Sequence, residues 1–187
     1  YEKAKNGKVE KWLEYIEDLV AAPNPLWNAS QNSRALTRSW GVTDNFSAEY
    51  NPLSTLKLRA RFGITKSVNE TDRFLSPKDS SFDDIDDLKK GTLDYNNEKS
   101  LQYEGEFTAT YGTILGERHR INLVGGANFN ALETQGNGYA VEGFPNGNYD
   151  SPAFAKGFPE NGVPAFSESK SRAMSAYANG GYAYDNR

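Results

Sequence analysis

The chain has 187 residues, a net charge of −4, 37% hydrophobic and 25% charged residues. It contains no apolar run of the roughly 18 residues that a membrane-crossing helix needs, which excludes a helical membrane protein but not a transmembrane β-barrel, where half of each strand is polar. With no cysteine, disulfides and thiolate metal sites are absent, and the weak negative charge gives no reason to expect nucleic acid as a partner.

Residues 1–38 read as a loop with one short helix. In "KVEKWLEYIEDLV", Val9, Trp12, Leu13, Ile16, Leu19 and Val20 fall at helical spacing from Lys8 to Val20. The following "AAPNPLWNASQNSR" reads as loop, because Pro23 and Pro25 interrupt a helix. The chain opens on Tyr1, its one Met is Met174, and "GGYAYDNR" closes it just past a strand; it is read as an internal piece of a longer chain.

Residues 39–187 read as five strands, at about 40–50, 55–65, 100–112, 119–132 and 171–184. Each alternates apolar and polar residues, the mark of a strand with one dry and one wet face. The first sets Trp40, Val42, Phe46, Ala48 and Tyr50 against Thr43, Asn45, Ser47 and Glu49. Asp44 falls on its apolar side: either a bulge re-aims it, or the strand is regular and its faces are misassigned. The second sets Leu56, Leu58, Ala60, Phe62 and Ile64 against Lys57, Arg59 and Arg61. The third sets Leu101, Tyr103, Phe107, Ala109 and Tyr111 against Gln102, Glu104, Glu106, Thr108 and Thr110; the fourth sets Ile121, Leu123, Ala127 and Phe129 against Asn122, Asn128 and Asn130. In the fifth, small residues leave the faces poorly distinguished.

Short and long links alternate. Residues 51–54 and 114–118 make short turns, while 66–99 and 133–170 read as long loops. Tyr50, Tyr111 and Tyr184 each close a strand on the short-turn side. Up-and-down outer-membrane barrels combine short periplasmic turns, long outer loops and aromatic girdles. The fold class is therefore all-β: an antiparallel up-and-down meander, a segment of a large transmembrane β-barrel with long extracellular loops. A cation facing lipid at the bilayer midplane costs about 2–4 kcal/mol. Lys57, Arg59 and Arg61 are accordingly assigned to the lumen with Glu104, Glu106, Asn122 and Asn128, where the two glutamates would offset the cations.

The order and spacing of "NPLWNA", "DNFSAEY", "KLRARFGI", "FLSPKDSSFDD", "KKGTLDYNN", "TATYG", "HRINLVGGANF", "EGFPNGNYDSPAF" and "NGGYAYDNR" resemble the barrel of SusC-like TonB-dependent outer-membrane transporters of Bacteroidetes, from about Asn24 onward. The resemblance implies a barrel of about 22 strands closed by an amino-terminal plug. It implies a SusD-like surface lipoprotein over the outer mouth, contact with TonB through a plug region that these residues do not include, a multi-pass outer-membrane location in contact with lipid, and uptake of glycans or peptides. A fragment of this extent would not transport alone. The alternative is a secreted soluble β-domain that binds carbohydrate.

No catalytic constellation, metal site or cofactor site emerges. His119 is the single histidine and reads as an ordinary interfacial residue. Asp79, Asp83, Asp84, Asp86 and Asp87 crowd one loop without the order of a calcium loop. The loop after strand four carries Tyr139, Phe144, Tyr149, Phe154 and Phe158 among Gly and Asn, a candidate surface for a ligand or a capping partner.

Overall fold

The computed structural model describes residues 8–14 and 21–185. Its elements are β1 (Trp12–Glu14), β2 (Ala21–Pro23), α1 (Pro25–Ser30), β3 (Arg34–Leu53), β4 (Leu56–Leu75), β5 (Thr92–Leu115), β6 (His119–Glu142) and β7 (Ala165–Tyr184). One sheet holds β3 to β7 in chain order, and β1 pairs with β2 antiparallel.

Side chains that meet across the large sheet give its direction. From β3 to β4, Arg34 reaches Asp72, Arg38 reaches Glu70, Thr43 reaches Thr65 and Glu49 reaches Arg59. From β4 to β5, Ser67 meets Ser100, Arg61 meets Glu106, and Gly112 donates to the Thr55 carbonyl. From β6 to β7, Glu133 meets Arg172, Asn128 meets Ser175, and the Arg118 carbonyl accepts from Asp185. One residue number falls as its partner rises, as antiparallel strands require, with Arg34–Asp72 and Glu133–Arg172 reaching diagonally by two residues and the other pairs keeping one register. The sheet is an antiparallel meander.

Several expectations need correction. Strands of 20 to 24 residues run six to ten residues beyond the expected ends on the long-link side. The long links shrink to residues 76–91 and 143–164. Segments such as "NETDR" (69–73) are polar on both sides, so period-two patterning vanishes although backbone pairing continues. No bulge re-aims Asp44, since the register is the same at Thr43 and Glu49; Asp44 shares a face with Val42 and Phe46 in a regular strand. The helix expected over Lys8–Val20 is replaced by a strand at Trp12–Glu14, while residues 15–20 lie outside the described residues. Conversely, Pro25 starts a helix where a loop was expected. It occupies the first turn, where a missing N–H costs nothing, and the Asn24 carboxamide caps the turn by accepting from Leu26 N at 3.0 Å.

The described chain divides into two compact units. The first gathers residues up to Arg38, Asn69–Asn97 and Gly136–Phe166. Its core is Phe74, Leu93, Val141 and Phe144, with Tyr139 and Ala155 packed against it. The Phe74 and Phe144 rings meet edge to face at 5.0 Å. Polar side chains hold the links. Buried Asn24 donates to the Glu10 carbonyl, and Asn28 makes a two-way bond with Ser80 through its amide. Gly143 takes φ +81°, and a Cβ there would strike the Leu88 carbonyl.

The second unit holds Ser39–Val68, Glu98–Gln135 and Ser167 onward. Its large apolar side chains are mostly exposed. Two glycines let aromatic rings cross the sheet, one on each face. A Cβ at Gly105 would overlap the Phe129 ring, which lies 6.4 Å from Phe62. A Cβ at Gly126 would lie 2.6 Å from the Tyr177 ring, whose hydroxyl reaches Thr108 at 3.0 Å.

Gly105→Ala in the full-length protein should lower the unfolding free energy by about 1–3 kcal/mol, because Phe129 must leave its place. Gly125→Ala, whose Cβ would approach nothing closer than the Tyr177 carbonyl at 3.8 Å, should be nearly neutral. Urea unfolding in detergent or lipid separates the two; equal midpoints would contradict the ring-over-glycine contact.

Candidate functional site

Two surfaces concentrate the chemistry: the sheet faces of the second unit, and the link at residues 143–164 in the first.

The register puts Thr43, Asn45, Ser47 and Glu49 on one face with Lys57, Arg59, Arg61 and Thr65. It adds Glu104, Glu106, Thr108, Asn122, Asn128, Ser175 and Tyr177 to that face. The polar residues singled out from sequence therefore share one side of the sheet. The charge pairing differs from expectation. Lys57 and Arg59 both turn to Glu49 on β3, at 2.7 and 3.0 Å. On β5 only Glu106 meets a cation, Arg61, at 3.9 Å, while Glu104 lies over Gly63. Glu49 and Tyr177 were not singled out from sequence. The short turn at 51–54 was the signal for Glu49, since hairpin pairing sets it against Lys57 and Arg59. For Tyr177 the signal was a Gly in the facing stretch of β6.

The opposite face is apolar and bounded at both ends. Phe46, Phe62, Phe107, Leu123, Phe129 and Met174 stand on it, 40–81% exposed. Toward the short turns it ends in Tyr50, Tyr111 and a cluster of His119, Tyr182 and Tyr184. There His119 Nδ1 lies 2.7 Å from the Tyr182 hydroxyl and its ring 5.1 Å from Tyr184. Toward the other end it stops at Asp44, Lys66, Glu133, Lys170 and Arg172, with Glu133 and Arg172 paired at 3.8 Å. Asp44 thus belongs to the charged margin of the face.

In the first unit the five candidate aromatics divide. Phe144 is 3% exposed, and Tyr139 packs on the core with its ring stacked on Tyr95 at 5.2 Å. Neither is a surface contact, which corrects the expectation that all five are exposed. Chain continuity made them look alike, but the core beneath β4 to β6 needs a ring to close it. Tyr149 and Phe154 pair at 4.8 Å, and both, like Phe158, are about half exposed. The link is anchored: Glu142 bridges to Gly157, Phe144 N donates to the Lys90 carbonyl, Asp150 pairs with Arg34, and Asn148 accepts from Asn32.

The acidic link is occupied by local bonds. Asp79 caps a turn at Ser81 N, Asp86 accepts from Leu88 N, Asp83 pairs with Lys11 and Asp87 with Lys90. The hydrogen bond from Lys90, ahead of its charge, holds the Asp87 carboxyl below the usual carboxylate range. Among the described residues no three His, Cys, Asp or Glu side chains gather at metal-binding distance.

No protein-family model matches the chain. It is 25% identical over 128 residues to a TonB-dependent receptor, P26, of Formosa agariphila, covering 64% of this chain and 12% of that protein. Solved structures of the RagAB peptide transporter superpose with a TM-score of 0.75 at 16% identity, over 97% of this chain and 20% of theirs. The RagAB importer in its 'closed-closed' state gives 0.75 at 17% identity. The chain thus spans about an eighth to a fifth of the length of these proteins. Its fold is that of a segment of the large β-barrel in the RagAB structures.

Phe144→Ala should cost the first unit about 3–5 kcal/mol, the usual loss for a buried ring. Tyr149→Ala, at a half-exposed ring, should cost far less. Limited proteolysis of the 143–164 link reads the difference: faster cleavage in the Phe144 variant alone is expected, and equal rates would show that Phe144 closes no core.

Proposed function

We propose that this chain forms part of the wall of a TonB-dependent outer-membrane importer, with the apolar face of the second unit against lipid and the polar face lining the lumen. The bounded apolar face carries this reading. From Leu56 to Ile64 its β4 stretch climbs roughly 19–22 Å at the usual strand rise and tilt, near the height of about 25 Å of the apolar band of outer-membrane barrels. Aromatics stand at one margin and charges at the other, as at the two edges of a hydrocarbon layer. Soluble proteins rarely expose so large a contiguous apolar patch. The likeness to a TonB-dependent receptor and to RagAB supports the importer.

The finer parts of the reading are a SusD-like lipoprotein as partner, TonB as the energy contact through the plug region, and glycans or other oligomeric nutrients as cargo. Tyr149, Phe154 and Phe158 are the side chains of the 143–164 link free to meet the lipoprotein or cargo. Exposed aromatics on an anchored loop give large contact area at small entropic cost.

Two measurements test this. Phe62→Arg should cost about 2–4 kcal/mol on folding into lipid vesicles, while Thr110→Arg on the other face should cost little; equal costs would remove the lipid assignment. Replacing Tyr149, Phe154 and Phe158 together by Ser in the full-length transporter should weaken lipoprotein capture or oligomer uptake with the barrel still inserted. Unchanged capture and unchanged uptake would leave the link as plain surface.

A further inference from the structure

The polar face holds more donors than its own carboxylates use. Glu49 accepts from both Lys57 and Arg59. That leaves Arg61, whose guanidinium has five N–H donors and whose one ion pair among the described residues spans 3.9 Å. Its side chain is 58% exposed. Glu106, the partner at that distance, also accepts a long bond of 3.4 Å from the Thr108 hydroxyl. Lys57, Arg59, Arg61, Thr108 and Tyr177 line a hollow of about 250 Å³ in which Glu106 is the sole carboxylate. The Tyr177 ring, laid over Gly126, walls the hollow from β7 and fixes its hydroxyl at Thr108.

A second hollow of about 730 Å³ continues from the first, sharing Arg61 and Glu106 and adding the Glu104 carboxylate with Asn45, Ser47, Asn128 and Asn130, so the acidic side chains lie on this side of Arg61 and the cations on the other. Its polar lining is rich in neutral groups that both donate and accept. Carboxylates bind best where a planar, weakly hydrated guanidinium offers parallel N–H groups. Hydroxyls, which donate and accept, are matched by amides and serine.

We infer that Arg61 is the centre of a carboxylate-binding site on this face, and that its ligand is an acidic oligosaccharide: the acid group sits at Arg61 beside Lys57 and Arg59, and the ring hydroxyls meet Asn45, Ser47 and Asn128. This rests on the proposal that the polar face lines the lumen of an oligomer importer, and it narrows the cargo to carboxylated sugars. Glu49 already accepts from Lys57 and Arg59, so a ligand carboxylate meets the Arg61 guanidinium first.

The test is calorimetric titration of the full-length transporter in detergent with hexagalacturonate, maltohexaose and hexaglutamate. Hexagalacturonate should bind at least about tenfold tighter than maltohexaose, with the advantage shrinking as salt rises, and Arg61→Gln should remove about tenfold of it, the worth of one charge-assisted contact. Tyr177→Phe should lower the same affinity less. The one ion pair of Arg61, to Glu106, is long and exposed and so worth little to the fold, and heat-modified gel mobility checks that both variants remain folded barrels. Equal affinity for the acidic and neutral sugars would overturn the site while leaving the importer standing. Hexaglutamate binding as tightly as the acidic sugar would overturn the sugar assignment. Arg61→Gln that lowers the melting temperature but not the affinity would show that the protein's own carboxylate fills the site. Failure of cells with the inserted barrel to take up any oligomer would overturn the importer, and this inference with it.

Discussion

The antiparallel register from β3 to β7 is the constraint on which the other features rest. A strand offers its side chains only two faces, and a shift of one residue exchanges them completely. Arg61 and Phe62 are chain neighbours, and so are Glu106 and Phe107. Cross-strand pairs at Thr43–Thr65, Ser67–Ser100 and Asn128–Ser175, with the Phe129 ring over Gly105 joining β5 to β6, hold the strands of the second unit in one phase. Without that phase, cations would lie among the phenylalanines. Gly105 and Gly126 serve the same end, since each lets a ring from the next strand lie flat across the sheet and bind two strand neighbours at once.

In the first unit the physics is different. Strand patterning fades, and what holds the links is a small apolar core with a dense set of side-chain bonds to backbone. Asn24 and Asp79 satisfy donors that turns leave open, while Asn28 binds Ser80 as a paired strand would. These bonds explain how residues 76–91 and 143–164 keep definite shapes despite their polarity. They also decide which aromatics are available, because the core takes Phe144 and Tyr139 before any partner can.

The polar face shows how one carboxylate can organise a row of cations. Of the three cations in the Lys57–Arg61 stretch, Glu49 draws Lys57 and Arg59, while Arg61 keeps a long pair with Glu106 beside a hollow. An exposed ion pair contributes little stability by itself. Its effect here is positional: it spaces like charges along a strand that would otherwise repel one another.

The sequence by itself determined the two faces and the five-strand meander. Alternation such as Leu56 to Ile64 against Lys57 to Arg61 is enforced wherever a strand has one apolar and one polar face, so it is written plainly. The alternating link lengths and the tyrosines at the short-turn ends were legible for the same reason. Only the tertiary structure decided how far the strands run, where polar residues line both sides and hydrogen bonding alone continues the pairing. It also decided that Pro25 opens a helix, through an Asn24 cap with no periodic signature. Finally, it decided that Glu49 and not Glu104 answers Lys57 and Arg59, and that Phe144 is core while Tyr149 is surface. Those outcomes depend on which strand lies opposite and what lies beneath, and neither is a property of the residues nearest in the chain.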